Sequence, residues 1–251
     1  MTTKSRIDME RDFHDRKAEG LVENQDFYRL DITSDIRAEM FRKMGSLQGK
    51  KVLDFGCGSG WMSIALAERG CDVVAVDLSL QSLKKARQAA SEKGLENRIT
   101  FCQMNGEALG IKSSQFDFVI GNAIIHHLDV QNAFQEIREI LKKGGVAYFV
   151  EPLGLNPIIN FYRKLTPNKR TVDERPLTAE DMRLIRGMFQ ETRVQFYFFL
   201  ALLSFFWSFV IKNDTLFLMS MRILKKADRW LLSAAPFLNR YCWLGLFQLQ
   251  K

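Results

Sequence analysis

One stretch constrains this chain more than any other: Lys51-Val52-Leu53-Asp54-Phe55-Gly56-Cys57-Gly58-Ser59-Gly60-Trp61, an apolar run, three glycines at alternate positions, then the start of a helical pattern. Glycine permits the sharp turn from strand to helix, and without a Cβ the backbone can approach a ligand that other residues would exclude. The following helix presents unpaired N–H groups at the same place. A carboxylate stands where such a turn needs one. Val73-Val74-Ala75-Val76-Asp77 reads as the next strand and ends in an acid about 20 residues onward, placed to bind ribose hydroxyls. Alone, Asp77 would serve equally as a strand-end or capping residue; with the glycine turn it predicts a nucleoside site. A nicotinamide dinucleotide fits less well, because its fingerprint is G-x-G-x-x-G and Trp61 stands where the third glycine belongs.

Around this turn, short apolar runs alternate with helix-length segments, as β-α-β units and a parallel sheet require. Strands are predicted over 52–55, 73–77, 99–103, 116–121 and 146–151, with helices over 61–69, 80–93 and 130–143 closed by Gly70, Gly94 and Gly144. A helix follows from Thr178 to Phe189, with Asp181 three residues after Thr178 in the manner of a capping box. Two more strands are predicted, Arg193 to Phe199 and Tyr241 to Gln250. A chain of 251 residues suits one large α/β domain.

Further segments follow in a fixed order: Asn105-Gly106-Glu107-Ala108-Leu109, then Phe116-Asp117-Phe118-Val119-Ile120, then Leu141-Lys142-Lys143-Gly144-Gly145. With Asp54, Gly56, Gly58 and Gly60 matching the loop acidic-x-G-x-G-x-G, residues 47–152 resemble the class I S-adenosylmethionine-dependent methyltransferases, in their small-molecule, type 11-like branch. The resemblance implies a Rossmann-like, doubly wound, mostly parallel seven-stranded sheet with helices on both faces. Residues 1–46 would form an N-terminal helical cover and 47–251 the methyltransferase domain, with 152–192 at the substrate entrance and 200–240 a helical insertion before the last strand. It implies S-adenosylmethionine as cofactor, methionine held near Asp54 and Gly56, adenine near residue 105, and backbone contacts around Gly121 and Asn122. The cofactor candidates are thus Asp54, Gly56, Cys57, Gly58, Gly60, Asp77, Leu78, Asn105, Gly106, Glu107 and Asn122. Asn105 replaces the family's usual aspartate, though its amide oxygen can still accept a hydrogen bond.

Methyl transfer from a sulfonium asks mainly for in-line positioning and exclusion of water, with a base where the nucleophile carries a proton. His126, His127 and Glu151 lie at the carboxyl ends of the fourth and fifth strands, where open α/β sheets bind ligands, and His126 is the first choice of base. Adjacent residues do not easily face one pocket together, so one histidine is expected to pack. His14, in the N-terminal cover, is a further candidate to meet the substrate, against the plainer reading of an exposed helix histidine. Tyr162, Arg163 and Arg170 are candidates for an anionic part of the substrate, against the plainer reading that these charges pair locally with Asp173 and Glu174. The alternative to an enzyme is a non-catalytic nucleotide-binding scaffold of the same fold.

The net charge of +7 is carried by residues 152–251, which hold 15 Lys/Arg against 7 Asp/Glu. That asymmetry suits an anionic lipid, a phosphate or an acidic substrate. Val194 to Ile211 is uncharged for 18 residues, the lower limit for a membrane span, but is expected as a buried strand followed by an apolar helix. Beyond it Arg222, Lys225, Lys226 and Arg229 fall on one helical face beside Ile223, Leu224, Trp230 and Leu231, so residues 200–230 are expected to meet an anionic membrane surface or a lipid acceptor. Nucleic acid is disfavoured, since Gly121-Asn122-Ala123-Ile124 replaces the Asn/Asp-Pro-Pro-aromatic segment that base methylation uses. Cys57, Cys71, Cys102 and Cys242 form no C-x-x-C pair, so neither a metal site nor a disulfide framework is expected. With no apolar leader after Met1, the expected location is cytoplasmic, with peripheral contact at the cytoplasmic face of a membrane.

Overall fold

The computed structural model describes residues 5–21, 31–167, 171 and 174–251. Two helices lead, α1 (Arg6–Ala18) and α2 (Ser34–Met44), followed by β1 (Lys51–Phe55), α3 (Trp61–Ala67), β2 (Asp72–Asp77), α4 (Leu80–Glu92), β3 (Ile99–Gln103) and β4 (Phe116–Asn122). A 3-10 turn at Ile125–His127 leads into α5 (Val130–Ile140) and β5 (Leu141–Pro152). The remainder comprises α6 (Pro157–Leu165), α7 (Ala179–Met188), β6 (Glu191–Tyr197), a 3-10 turn at Leu200–Ser204, α8 (Phe205–Phe209), α9 (Asp214–Ala234), a 3-10 turn at Pro236–Tyr241, and β7 (Leu244–Gln250).

The seven strands form one sheet in the order β3-β2-β1-β4-β5-β7-β6. Strands β1 to β5 pair in parallel, while β7 runs antiparallel to both β5 and β6. Because the chain builds outward from β1 to β3 and then restarts at β4, the order reverses between β1 and β4. Their carboxyl ends therefore diverge into a crevice, the place where such sheets bind ligands. The central strands are buried on both faces: Val52 packs with α2 and α3 residues such as Met40 and Leu66, Leu53 with α5 residues such as Phe134 and Ile137. Helix starts follow their capping chemistry. Ser79 accepts from Ser82 N, Asp129 from Asn132 N, and Thr178 with Asp181 forms the reciprocal capping box.

The fifth strand departs from expectation. The helix predicted over 130–143 stops at Ile140, and Leu141 already pairs with Phe116. The register then shifts and resumes at Phe118↔Val146, so Gly144, with φ of +75°, serves an irregularity in the strand rather than a helix end.

The uncharged run from Val194 to Ile211 is likewise divided. Strand β6 ends at Tyr197, Phe198 takes a positive φ of 63°, and a 3-10 turn and α8 follow. Buried Asp228 of α9 fixes this break by accepting the N–H groups of Phe199, Leu200 and Ala201 at 3.0, 2.6 and 3.2 Å. None of the described helices is long and apolar enough to cross a membrane. The strand is not buried as expected, since β6 alternates between exposed and half-buried residues, and in the apolar segment after it Phe206, Phe209, Val210 and Ile211 are exposed. The basic face of α9 divides too, because Lys225 turns inward to the Ile32 carbonyl at 2.5 Å and to Asp35 at 2.7 Å. Arg222, Lys226 and Arg229 stay exposed.

Candidate active site

A cavity of about 400 Å³ opens at the carboxyl ends of β1, β2 and β4, beneath α1. Its floor is the glycine turn. The N–H groups of Gly56 and Cys57 both donate to the Val76 carbonyl, at 2.9 and 3.0 Å, and so weld the turn to the end of β2. Gly56 has φ of +74°, and a Cβ there would lie 2.6 Å from Ile124 Cγ1. Only glycine lets the turn and the segment after β4 approach this closely. At Gly58 a Cβ would meet no protein atom within 4 Å, so that backbone faces open space.

Asp77 completes the cradle. One oxygen accepts from Gly58 N at 2.8 Å and the other from Ser79 N at 2.8 Å, which holds the carboxylate at the cavity wall. Burial raises its pKa, and the two N–H bonds oppose the rise. Asp54 lies deeper, with the Ser63 hydroxyl donating to it at 2.5 Å. Burial pushes its pKa up to about 7, with the Asp77 charge adding to the effect and the Ser63 bond opposing it. A buried carboxylate in this condition favours a cationic ligand.

The cavity gathers Asp54, Gly56, Cys57, Gly58, Asp77 and Leu78 from the cofactor candidates, together with Asn105, Gly106, Glu107 and Asn122. Gly60 stands apart. A Cβ there would lie 2.7 Å from that of Ala86, so this glycine serves the packing of α3 on α4. Asn105 turns its amide oxygen onto Glu107 N at 3.0 Å. Glu107 in turn accepts from Asp129 N at 2.9 Å and pairs with Arg6.

The catalytic candidates separate. Glu151 is fully buried, and its Oε1 accepts from both Ile124 N and Ile125 N at 2.9 Å while Oε2 lies 2.8 Å from His126 Nδ1. Neither His126 nor Glu151 lines the cavity; they brace the segment after β4, where Ala123 takes a positive φ of 55°. The preference for His126 is therefore corrected. His127 lines the cavity, its ring 4.3 Å from that of His126 between centroids. Burial, followed by the neighbouring His126, lowers its pKa to about 4, so the imidazole is neutral at physiological pH.

Helix α1 roofs the site. Arg6 donates to the His127 carbonyl at 3.0 Å, and Asp15 accepts from Ser79 Oγ at 2.6 Å and from Gln81 N at 3.1 Å, so both walls are tied to the roof. Ile7, Glu10, His14 and Lys17 line the cavity from above. Glu10 and Lys17 were missed among the site residues, although the spacing 7, 10, 14, 17 is one helical face. The entrance candidates fare differently. Arg163 is committed to Glu174, at 2.8 Å to its carboxylate and 2.9 Å to its carbonyl, which is the local pairing. Tyr162 stacks on Phe209 in a separate apolar groove. Arg170 and Asp173 lie outside the described residues.

Comparison with known proteins matches this geometry. Residues 53–149 fit the family model described as methyltransferase domain. The ubiquinone biosynthesis O-methyltransferase of Bordetella avium is 33% identical over 135 residues, 53% of this chain and 55% of that one. The malonyl-[acyl-carrier protein] O-methyltransferase of Enterobacter lignolyticus is 40% identical over 102 residues, 39% of this chain and 38% of that one. The chain thus spans about half the length of the curated relatives it matches, or less. Among solved structures, phosphoethanolamine N-methyltransferase 2 of Haemonchus contortus shares the fold, with a TM-score of 0.68 at 18% identity over 99% of this chain and 60% of that one. With the glycine cradle, the paired acids and the seven-stranded order in place, residues 53–149 carry the methyltransferase domain that the family model describes.

Proposed function

We propose that this protein methylates an oxygen of a small apolar acceptor, with His127 as the base, and that it works at an anionic bilayer. The observation that carries the enzymatic reading is the cavity itself, in which the Gly58 backbone, Asp77 and Asp54 lie beneath the same roof as a neutral, cavity-lining imidazole. An oxygen acceptor is supported by the O-methyltransferase names of the relatives.

When bound, S-adenosylmethionine supplies a methyl group on a sulfonium, which departs as a neutral thioether. The residues present fit it: Asp54 is a buried acid suited to an ammonium, Asp77 a fixed acceptor for ribose hydroxyls, and the turn at Gly58 leaves room for the ligand. His127 would take the acceptor's proton, with the Glu10 carboxylate 3.3 Å from its Nδ1. Helix α1 excludes water, which keeps the nucleophile unsolvated and in line.

The apolar outer face supports the membrane reading. Helices α6 and α8 enclose a groove of about 290 Å³ that is almost wholly apolar; lining it, Phe161 of α6 and Val210 at the end of α8 are 65% and 63% exposed, and on α9 Trp230 is 74% exposed. Exposed Lys164, Lys212, Arg222 and Lys226 lie on the same helices or directly beside them. Cations beside exposed aromatic and aliphatic side chains are the composition of an interfacial contact with anionic lipid.

Three outcomes are expected. Incubated with methyl-labelled S-adenosylmethionine and an organic extract of cells, the protein transfers label to an extractable product; His127→Gln lowers turnover about 100-fold while cofactor affinity stays within about threefold. Cofactor binding without transfer to any fraction would establish the scaffold alternative instead. Asp54 gives a pH signature. Its folded pKa of about 7 lies above the ordinary 3.8, so the folded state holds the proton more tightly and stability of the ligand-free protein falls as pH rises between those values. Cofactor affinity rises over the same window, and Asp54→Asn removes both trends, as thermal melts and calorimetry at pH 5 and 8 would show. In flotation with vesicles containing phosphatidylglycerol the protein rises with the lipid, and Phe206→Asp with Phe209→Asp leaves it below; full recovery of the unaltered protein in the unbound fraction contradicts the membrane reading.

A further inference from the structure

All three histidines of the chain come together at one corner of the cavity, where His14 and His127 line it and His126 lies against His127, although 112 residues separate His14 and His126 in sequence. Glu10 lies among them, 4% exposed, one helical turn before His14. Its Oε2 is 3.4 Å from His14 Nε2 and 3.3 Å from His127 Nδ1. Neither contact has hydrogen-bond geometry, and among the described residues Glu10 Oε2 and His127 Nδ1 are both buried with no hydrogen-bond partner. Leaving two such atoms unsatisfied is costly, and an unsatisfied pair of this kind calls for an explanation.

The spacing supplies one. In a tetrahedral zinc site with bonds near 2.0–2.1 Å, neighbouring ligand atoms stand about 3.3–3.4 Å apart. Two edges of the Glu10, His14 and His127 triangle have that length, and the three ligand atoms all lie within 4.8 Å of one another. We propose that Glu10, His14 and His127 bind a divalent transition-metal ion of the zinc type, with the fourth position open to the cavity that all three residues line. The donor set is the two-histidine, one-carboxylate combination that zinc and ferrous sites use, whereas magnesium and calcium prefer all-oxygen sets. The surroundings are prepared for it. The Thr171 hydroxyl donates to the other oxygen of Glu10, and the His126 ring lies against His127, so two ligands are oriented by neighbours. A second grouping of His126, His127 and Glu174 shares His127, but its carboxylate is already bound to Arg163.

The ion ties the roof helix α1 to the segment after β4, and so closes one side of the cavity. It also bears on turnover, a consequence that rests on the proposed role of His127. An ion on Nδ1 forces the ring proton onto Nε2, and a ring in that state has no lone pair left to accept the acceptor's proton. Zinc is then an inhibitor.

Equilibrium dialysis of the untagged full chain against micromolar ZnCl₂, with metal counted by mass spectrometry, tests the site. One zinc per chain is expected; His14→Ala and Glu10→Gln each weaken uptake tenfold or more, Cys102→Ser leaves it unchanged, and MgCl₂ does not compete. Substitution by Co²⁺ adds the visible absorption of a tetrahedral site, which a merely structural role for these residues would not produce. Far-UV circular dichroism confirms that the variants are folded. Absence of stoichiometric zinc, or uptake that survives in both variants or is lost with Cys102, overturns the proposal. Zinc bound as expected without inhibition would leave the site standing and remove His127 from its proposed role as base.

Discussion

The structure depends on the bond between the Gly58 N–H and the Asp77 carboxylate. It joins the ends of β1 and β2 beside the crevice that opens between β1 and β4, and fixes both the glycine turn and the acid at the wall of the cavity. An acid buried this far ionises only with compensation, and here two backbone N–H groups provide it. Three of the five residues of the turn are glycine, so its shape is set largely by what its N–H groups reach: the Val76 carbonyl from Gly56 and Cys57, and Asp77 from Gly58.

A second buried acid organises the opposite wall. Glu151, at the end of β5, accepts two successive N–H groups after β4 and orients His126, which backs His127. That arrangement accounts for the positive φ at Ala123: the chain must turn there for both N–H groups to converge on one oxygen. Asp228 repeats the device between β6 and the helices that follow, accepting three N–H groups from a 3-10 turn. In both places a carboxylate fixes an irregular backbone that the sheet itself leaves unsupported.

The glycine turn, Asp77 and the alternation of strands with helices were legible in the sequence because each follows from local chemistry: a turn needing positive φ, a carboxylate at a strand end, an apolar period. What was not legible depended on distant partners. The charge on Glu151 looks catalytic until Ile124 N, Ile125 N and His126 are seen to occupy it. The tandem histidines are indistinguishable in sequence, and only the 3-10 turn at Ile125–His127 turns one to the cavity and the other inward. Glu10 and Lys17 were readable as one helical face, but that face has no meaning until α1 is placed over the sheet. For Arg163 the sequence left two readings open, an anionic ligand or local pairing, and the bond to Glu174, 11 residues on, decides for the second. Gly144 followed the helix-closing rule in sequence and failed it in structure, since pairing with Phe116 recruits Leu141 to the strand first.

The proposed function requires the turn at positions 56 to 60 and the acid at 77 to hold an adenosine sulfonium between them. Calorimetric titration of the full chain with S-adenosylmethionine tests this directly, with Asp77→Ala as the comparison. One site of micromolar affinity, weakened about 100-fold or more in a variant that melts cooperatively, is the expected result. Saturating heat of binding that is indifferent to Asp77, or none at all from the unaltered protein, would contradict it.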